Sequence, residues 1–205
     1  MPFLLLLSNR VSKLIGNISK VFVSYPFHFL FPKKRFTIPV HSKALFKGKK
    51  QKIQKNIWQT NYSNKVSLPI YLNYLFNRLM SLSYNYHYVS TEDRLIFIKK
   101  NASNEIVKAY ERLNDGAAQA DVWRLLVLQH IGGVYIDIDA HLIYPLSGII
   151  KKSDKELLIL KGTENAHTNY FIAMEKNHPI LSKAINIILE NINNDKVLGV
   201  FSLTG

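Results

Sequence analysis

The chain has 205 residues, no cysteine and a hydrophobic fraction of 47%. This length and composition fit one globular domain with an appended segment, and they exclude a disulfide framework and a zinc site built on cysteine. The formal net charge of +13 is uneven, because the first 91 residues hold 14 Lys/Arg and no acid, whereas residues 92–205 hold 13 Lys/Arg against 14 Asp/Glu. Such an excess in one part of a chain indicates contact with an anionic surface, either a membrane or a nucleic acid.

Residues 1–40 are predicted to form a basic amphipathic segment that associates with a membrane. Between residues 4 and 23, apolar side chains recur at helical spacing and Lys, Arg and Asn lie on the opposite side. The apolar positions are Leu7, Val11, Leu14, Ile15, Ile18 and Phe22. No uncharged apolar run approaches the roughly 18 residues of a transmembrane helix, so an interfacial helix is the better prediction. The alternative is a helix that packs on the rest of the chain.

Residues 41–51 are predicted to be a lysine-rich connector, either solvated or in contact with anionic lipid head groups. A catalytic domain is predicted over residues 52–205, with short apolar strands and helices in alternation. Strands are expected at 52–60, 84–89, 134–139 and 156–160, and helices at 69–80, from Ser90, at 103–113, at 120–131 and from 178. This order is typical of an α/β fold whose site lies at the carboxyl ends of the strands.

The predicted helix at 120–131 and the turn after it have features of a site. Asp121 and Arg124 lie three residues apart and therefore share one helix face. Gly132 is expected to end the helix in a left-handed conformation, and Gly133 to let the backbone turn at once into the strand. The short connection allows the two charged side chains to approach the polar end of that strand.

The strand that follows carries two carboxylates. Aliphatic residues alternate with polar ones from Val134 to Asp139, which predicts that Tyr135, Asp137 and Asp139 share one face. On an extended strand the two aspartate Cα atoms would lie roughly 6–7 Å apart. Two ionised carboxylates this close repel, and a divalent cation that also binds phosphate oxygens is the usual compensation.

Asp-x-x-Arg followed by Gly-Gly-x-Tyr-x-Asp-x-Asp resembles the sugar-binding region of the Asp-x-Asp glycosyltransferases of family 32, which include α-mannosyltransferases and capsule and lipopolysaccharide transferases. The matching positions are Asp121, Arg124, Leu125, Gly132, Gly133, Tyr135, Asp137, Asp139 and Pro145. The resemblance implies a GT-A-like, Rossmann-type nucleotide-sugar-binding sheet flanked by helices, here preceded by the basic amphipathic helix. It also implies a metal-dependent retaining transferase that moves a hexose from UDP-hexose or GDP-mannose to a surface-glycan or lipid-linked acceptor.

The same resemblance implies the site residues. Asp139 and Asp137 would hold Mn²⁺ or Mg²⁺, and Asp137, Asp139 and Arg124 would be the catalytic set. The implied donor-binding residues are Trp58, Asp121, Arg124, Tyr135, Asp137 and Asn169. Trp58 would stack on the nucleotide base, with a purely structural core position as an equal alternative. His141 is possible as a third metal ligand, but a surface or packing role is preferred for it.

Phe201–Gly205 resembles the family's Thr-Gly-Pro loop but stops before the proline, which predicts a C-terminally truncated member. One alternative function is therefore an inactive transferase that only binds nucleotide sugar, and another is a basic module that binds membrane or nucleic acid. The basic part of the chain has no recognition motif for nucleic acid, so no specific nucleic acid partner is expected. The expected location is cytoplasmic and peripheral, on the inner face of the membrane, where surface polysaccharide or lipopolysaccharide precursors are assembled.

Overall fold

The fold is described from a computed structural model, in which residues 2–160 and 167–194 are placed well enough to describe. Residues 201–205, whose sequence resembles the family's Thr-Gly-Pro loop, lie outside these residues. The described helices are α1 (Pro2–Ile18), α2 (Tyr25–Leu30), α3 (Leu68–Leu79), α4 (Thr91–Asn101), α5 (Asn104–Glu111), α6 (Gly116–His130), α7 (Leu146–Ile149) and α8 (Pro179–Asn193). The strands are β1 (Phe36–Thr37), β2 (His41–Ser42), β3 (Asn56–Thr60), β4 (Lys65–Val66), β5 (Asn85–Val89), β6 (Gly133–Ile136), β7 (Glu156–Leu160) and β8 (His167–Met174).

Six of these strands form one mixed sheet in the order β2-β5-β3-β6-β8-β7. The three strands β5, β3 and β6 are parallel to one another, β2 and β8 pair antiparallel with β5 and β6, and β7 pairs antiparallel with β8. β1 and β4 form a separate two-stranded ribbon. The carboxyl ends of β3, β5 and β6 therefore meet at one edge of the sheet, as expected for an α/β protein.

Each face of the sheet is covered by its own apolar cluster. Alternate residues of β6 point to opposite faces, so Tyr135 packs with α4, α5, α6 and α8, whereas Val134 and Ile136 pack with the tyrosines of β5 and with α7. All three side chains are at most 2% exposed. A strand buried on both faces lacks a solvent-facing side, which explains its almost continuous apolar sequence.

Most elements predicted for the domain are present with boundaries shifted by a few residues. The prediction for β7 is correct at both ends, and Ser90 caps α4 in a capping box with Asp93, as its sequence predicts. Strands β1, β2, β4 and β8 were not predicted. β2 lies in the segment expected to be a connector, yet it pairs with β5 through His41 and His87.

The N-terminal residues are helical but largely exposed. α1 ends at Ile18 and continues as a π-helical segment, Ser19–Ser24, before α2. All six positions of the predicted apolar face remain between 46% and 74% exposed. In the part of the chain described here, no helix combines the length and the apolar character needed to cross a bilayer.

Candidate functional site

The connection between α6 and β6 has the backbone conformation that its two glycines predict. Gly132 has φ +78° and Gly133 has φ +119°, both in the region that side chains rarely adopt. A Cβ at Gly133 would lie 2.5 Å from the carbonyl oxygen of Asn56 and 3.2 Å from Nε1 of Trp58. Glycine is therefore required at 133 both by the turn and by the close approach of β3.

Asp121 and Arg124 form an ion pair that is almost fully buried. Their side chains are 5% and 7% exposed, and the guanidinium Nη2 contacts the Asp121 carboxylate directly. Arg124 also donates from Nη1 to the carbonyl oxygen of Asn169, over 2.7 Å, and its guanidinium lies 4.7 Å from the ring centroid of Tyr135. Arg124 thus links α6, β6 and β8 beneath the carboxyl edge of the sheet.

Asp137 directly follows β6, and two side chains hold its carboxylate. The hydroxyl of Tyr135 donates to its Oδ1 over 2.6 Å, and Arg124 Nη1 lies 3.6 Å from the same oxygen. Burial raises the pKa of Tyr135 well above its usual value, so the hydroxyl keeps its proton and remains a donor. The Asp137 side chain is still 31% exposed, so it can contact a ligand from outside.

Asp139 does not lie on the strand, which corrects the sequence prediction. β6 ends at Ile136, and Asp137 to Ala140 form a turn in which the Ala140 amide donates to the Asp137 carbonyl over 3.1 Å. The separation expected for an extended strand therefore does not apply to the two carboxylates. Asp139 is exposed on this turn, to which we refer as the DXD turn (residues 137–140).

Three buried or half-buried amide side chains hold the DXD turn, and sequence reasoning missed them. Asn73 donates to the carbonyl oxygens of Ile138 and Ala140, over 2.8 and 2.9 Å, and Asn77 donates to that of Ala140 over 3.0 Å. Gln59 on β3 donates to the carbonyl of Asp137 over 3.1 Å. The available signal was the spacing of Asn73 and Asn77, four residues apart on an otherwise apolar helix.

Trp58 is placed in the core rather than at the exposed edge. It is 7% exposed, its ring stacks on His87 with centroids 4.2 Å apart, and its Nε1 donates to the carbonyl of Gly132 over 3.0 Å. Burial lowers the pKa of His87 to about 4, so this ring is uncharged at neutral pH. Gly132 lies at the amino end of β6 and Asp137 at its carboxyl end, so the indole extends away from Asp137. The burial of Trp58 therefore favours a structural role in the core over stacking on a nucleotide base.

The remaining predicted residues divide between the site and the surface. Asn169 is exposed on β8, and its backbone carbonyl, not its side chain, makes the contact with Arg124. His141 is exposed just after the DXD turn and contacts the ring of Phe76 edge-on. The structure therefore brings together Asp121, Arg124, Tyr135 and Asp137 with the backbone of residue 169, next to the exposed Asp139.

The carboxylate oxygens at the DXD turn can hold a hard divalent cation only if a bound ligand supplies further coordinating atoms. Among the residues described, no three His, Cys, Asp or Glu side chains are grouped to hold a metal ion. Mg²⁺ and similar ions are often bound by one or two carboxylates together with substrate phosphates and water. The half-exposed Asp137 and the exposed Asp139 suit that mode, in which the phosphates supply most of the remaining ligands.

Comparisons with known proteins agree with this site. Residues 69–156 match the family described as "Glycosyltransferase sugar-binding region containing DXD motif", a range that includes α3, α6, β6 and the DXD turn. The solved structure titled "PaToxG Glycosyltransferase" is similar in fold, with a TM-score of 0.57 and 19% sequence identity. That match covers 76% of this chain, and this chain spans 66% of the other. No curated protein matches the sequence.

The first match concerns the sequence motif, and the second concerns the path of the backbone. The matched residues 69–156 include Asp121, Arg124 and Asp137 of the buried cluster. Residues 69–156 are thus similar in sequence to a glycosyltransferase sugar-binding region with its DXD motif, and the fold of the chain is similar to that of a solved glycosyltransferase.

Proposed function

We propose that this chain transfers a hexose from a nucleotide sugar, UDP-hexose or GDP-mannose, to a hydroxyl group of a surface glycan or a lipid-linked acceptor. The observation that carries the proposal is the DXD turn, where Asp137 is fixed by Tyr135 and Arg124 while the Asp139 carboxylate is exposed. One carboxylate is held rigidly and the other is accessible, which suits recognition of a diphosphate together with its cation. The fold proposed for this activity is GT-A-like.

In the proposed reaction the bond between the anomeric carbon and the diphosphate oxygen breaks, and a bond to the acceptor oxygen forms. The nucleoside diphosphate leaves with the electron pair, and an oxygen of the leaving diphosphate accepts the proton of the acceptor hydroxyl. Mn²⁺ or Mg²⁺, held by Asp139 and Asp137, would supply Lewis-acid stabilisation of the departing diphosphate. Retention of configuration at the anomeric carbon is proposed because this chain resembles family 32 in the DXD region.

The buried cluster has a positioning role in this proposal. Asp121 and Arg124 are both almost fully buried, so neither side chain presents a free surface to a ligand. Their ion pair fixes Arg124, which in turn fixes Asp137 and the backbone of β8. The Tyr135 hydroxyl donates a hydrogen bond to Asp137 and keeps the carboxylate oriented. Trp58 is not included, because its ring is already packed between core residues.

We further propose that the N-terminal helices bring the site to the inner, cytoplasmic face of a membrane, where lipid-linked precursors are found. Supporting this, α1 exposes its predicted apolar face, and α2 and its flanking residues expose Phe29, Leu30 and Phe31 at 54–87%. Apolar patches of this extent on a soluble protein commonly mark an interaction site. The same part of the chain is basic and contains no acid, which favours an anionic surface.

The test is the thermal unfolding midpoint with UDP or GDP, each with Mn²⁺ and with EDTA. A ligand at about 100 times its dissociation constant stabilises the folded state by about 2.7 kcal/mol, which corresponds to roughly 5–10 °C for a chain of this size. We expect one nucleotide to give such a rise with Mn²⁺ and none with EDTA.

The matched variants are Asp139→Asn and Glu105→Gln, the latter removing an exposed carboxylate on α5. The first should lose the Mn²⁺-dependent rise without a change in the midpoint of the free protein, and the second should keep it. An equal rise in Asp139→Asn and the unaltered chain would rule out the metal role. Nucleotide binding without hexose transfer would favour the alternative function, a chain that only binds nucleotide sugar.

A further inference from the structure

An apolar groove lies between the N-terminal helices and α3, separate from the buried charged cluster. Its volume is about 710 Å³, within the range of roughly 300–1,000 Å³ that is usual for small-molecule sites. One wall is α3 and the other is formed by the end of α1, the π-helical segment and α2. The apolar lining includes Ile15, Pro69, Leu72, Leu75, Phe76 and Leu79.

The groove extends to the DXD turn. Asn73 and His141 line it, and Asn73 is the residue whose amide holds the carbonyls on either side of Asp139. On the other wall, the Ser8 hydroxyl of α1 donates to the carbonyl of Ile143, in the loop that follows the DXD turn. A molecule lying along the groove would therefore end beside the proposed sugar-transfer site.

The charges near the groove favour an anionic amphiphile. Lys13 lines it, and the cationic cluster Lys33-Lys34-Arg35 follows α2 after a short interval in the sequence. No acidic residue occurs before Glu92, so the N-terminal wall cannot neutralise these cations within itself. An apolar slot lined by Lys13, in a part of the chain that is basic and free of acidic residues, matches a hydrocarbon chain that carries a phosphate.

We propose that this groove binds the hydrocarbon chain of a phosphate-bearing lipid-linked acceptor and places its head group at the DXD turn. The role of the bound lipid as an acceptor rests on the proposed function, whereas the groove and its charges are observed without it. It assigns a role to α1, which otherwise leaves its apolar side chains exposed. It also explains why the helix that holds the DXD turn, α3, keeps Leu75 and Leu79 at 44% and 60% exposure.

Gly16 gives a direct way to fill the groove. It lies on the α1 wall, and a Cβ built there meets no atom within 4 Å. A large side chain at this position can therefore occupy the groove without displacing core residues. Replacing a glycine inside a helix also favours the helical conformation, so Gly16→Phe is expected to fold.

The experiment is calorimetric titration with dodecyl phosphate below its micelle concentration, with inorganic phosphate as the probe that lacks a chain. We expect saturable binding of dodecyl phosphate and none of inorganic phosphate. Gly16→Phe should weaken binding by roughly tenfold or more, because the methylene groups lose an apolar site. Gly16→Ala, which removes the glycine but leaves the groove open, should bind as the unaltered chain does.

A second pair of variants tests the opposite wall. Leu79→Asp places a charge in the groove, and Ile96→Asp places one on α4 at a residue of similar exposure, 64% against 60%. Loss of binding in Leu79→Asp alone supports the inference, whereas equal binding in Gly16→Phe, Leu79→Asp and the unaltered chain overturns it. A dimer that dissociates in Gly16→Phe would also overturn it and assign the groove to a second copy.

The inference and the proposed function can fail separately. If dodecyl phosphate binding depends on Gly16 while no nucleotide raises the unfolding midpoint, the groove stands and the proposed transfer fails. If a nucleotide binds with Mn²⁺ while dodecyl phosphate does not bind, the transfer proposal stands and the groove has another purpose.

Discussion

Arg124 is the residue on which the local arrangement depends. It neutralises the buried Asp121, contacts the ring of Tyr135, lies close to Asp137 and bonds the backbone of β8. Desolvating two charges costs free energy that their attraction only partly offsets, so such a pair adds little net stability. Breaking the pair is different, since it leaves one charge buried without a partner.

We therefore expect Arg124→Met to lower the free energy of unfolding by about 3–5 kcal/mol, because Asp121 would lose its counter-ion in a dry environment. Replacing both residues, as Asp121→Leu with Arg124→Met, should recover most of that loss. The measurement is urea unfolding at neutral pH.

The exposed Lys99–Glu111 pair, with Nζ 2.9 Å from Oε1, provides the control. Lys99→Met should cost less than about 1 kcal/mol, because both side chains are about half exposed and water screens the pair. Similar losses for Lys99→Met and Arg124→Met would contradict the role assigned to burial.

At the level of elements, the DXD turn depends on a helix that is distant in sequence. α6 and β6 bring Asp121, Arg124 and Tyr135 together through local connections, and the Gly132–Gly133 turn keeps those connections short. α3 then fixes the turn itself through Asn73 and Asn77, which bond backbone carbonyls more than 60 residues away. Rigidity of the turn thus comes from tertiary hydrogen bonds rather than from strand pairing.

Gly133→Ala should destabilise the protein by roughly 1–3 kcal/mol or more, because alanine at φ +119° is strained and its Cβ would meet the Asn56 carbonyl at 2.5 Å. Gly116→Ala is the matched variant, since a Cβ at the first residue of α6 meets no atom within 4 Å. That change should be neutral or slightly stabilising. Thermal unfolding of both proteins checks the difference, and equal midpoints would contradict the turn geometry.

Across the whole molecule, charge and exposed apolar surface are concentrated in the same part of the chain. The first 91 residues hold the entire excess of positive charge, and α1 and α2 expose large apolar side chains. Neither property contributes to the sheet or its two cores. Their coincidence is the basis for the membrane contact proposed above, in which cations would approach the lipid phosphates and apolar side chains would enter the interface.

Replacing Lys33, Lys34 and Arg35 with serine should weaken binding to phosphatidylglycerol vesicles by roughly 100-fold, since each cation near an anionic surface contributes about 1 kcal/mol. Removing Lys151, Lys152 and Lys183, which are exposed elsewhere, makes the same change in net charge. That control should bind almost as the unaltered protein does. Equal weakening in the two triple variants, measured by co-sedimentation, would show that only net charge matters.

Much of the site was predictable because its determinants are local in sequence. The spacing of Asp121 and Arg124 on one helix, the two glycines that end it, and the alternation from Val134 to Asp137 each follow from backbone geometry over a few residues. The prediction failed at Asp139 because strand length is set by pairing, and β6 pairs with β8 only as far as Ile136. β8 itself was missed because its first half, from His167 to Tyr170, is mostly polar and exposed, and only the second half, from Phe171 to Met174, is a buried apolar run.

The sequence by itself determined the α/β class, the glycine turn, the DXD motif and the separation of a basic N-terminal part from a nearly neutral remainder. These features depend on composition and on the spacing of residues that are close in the sequence, so they require no contact between distant parts of the chain. Only the tertiary structure decided that Trp58 lies in the core, that Asn73, Asn77 and Gln59 hold the DXD turn, and that a groove separates α1 from α3. Each of these depends on residues far apart in the chain, and their proximity is set by how the sheet and helices pack.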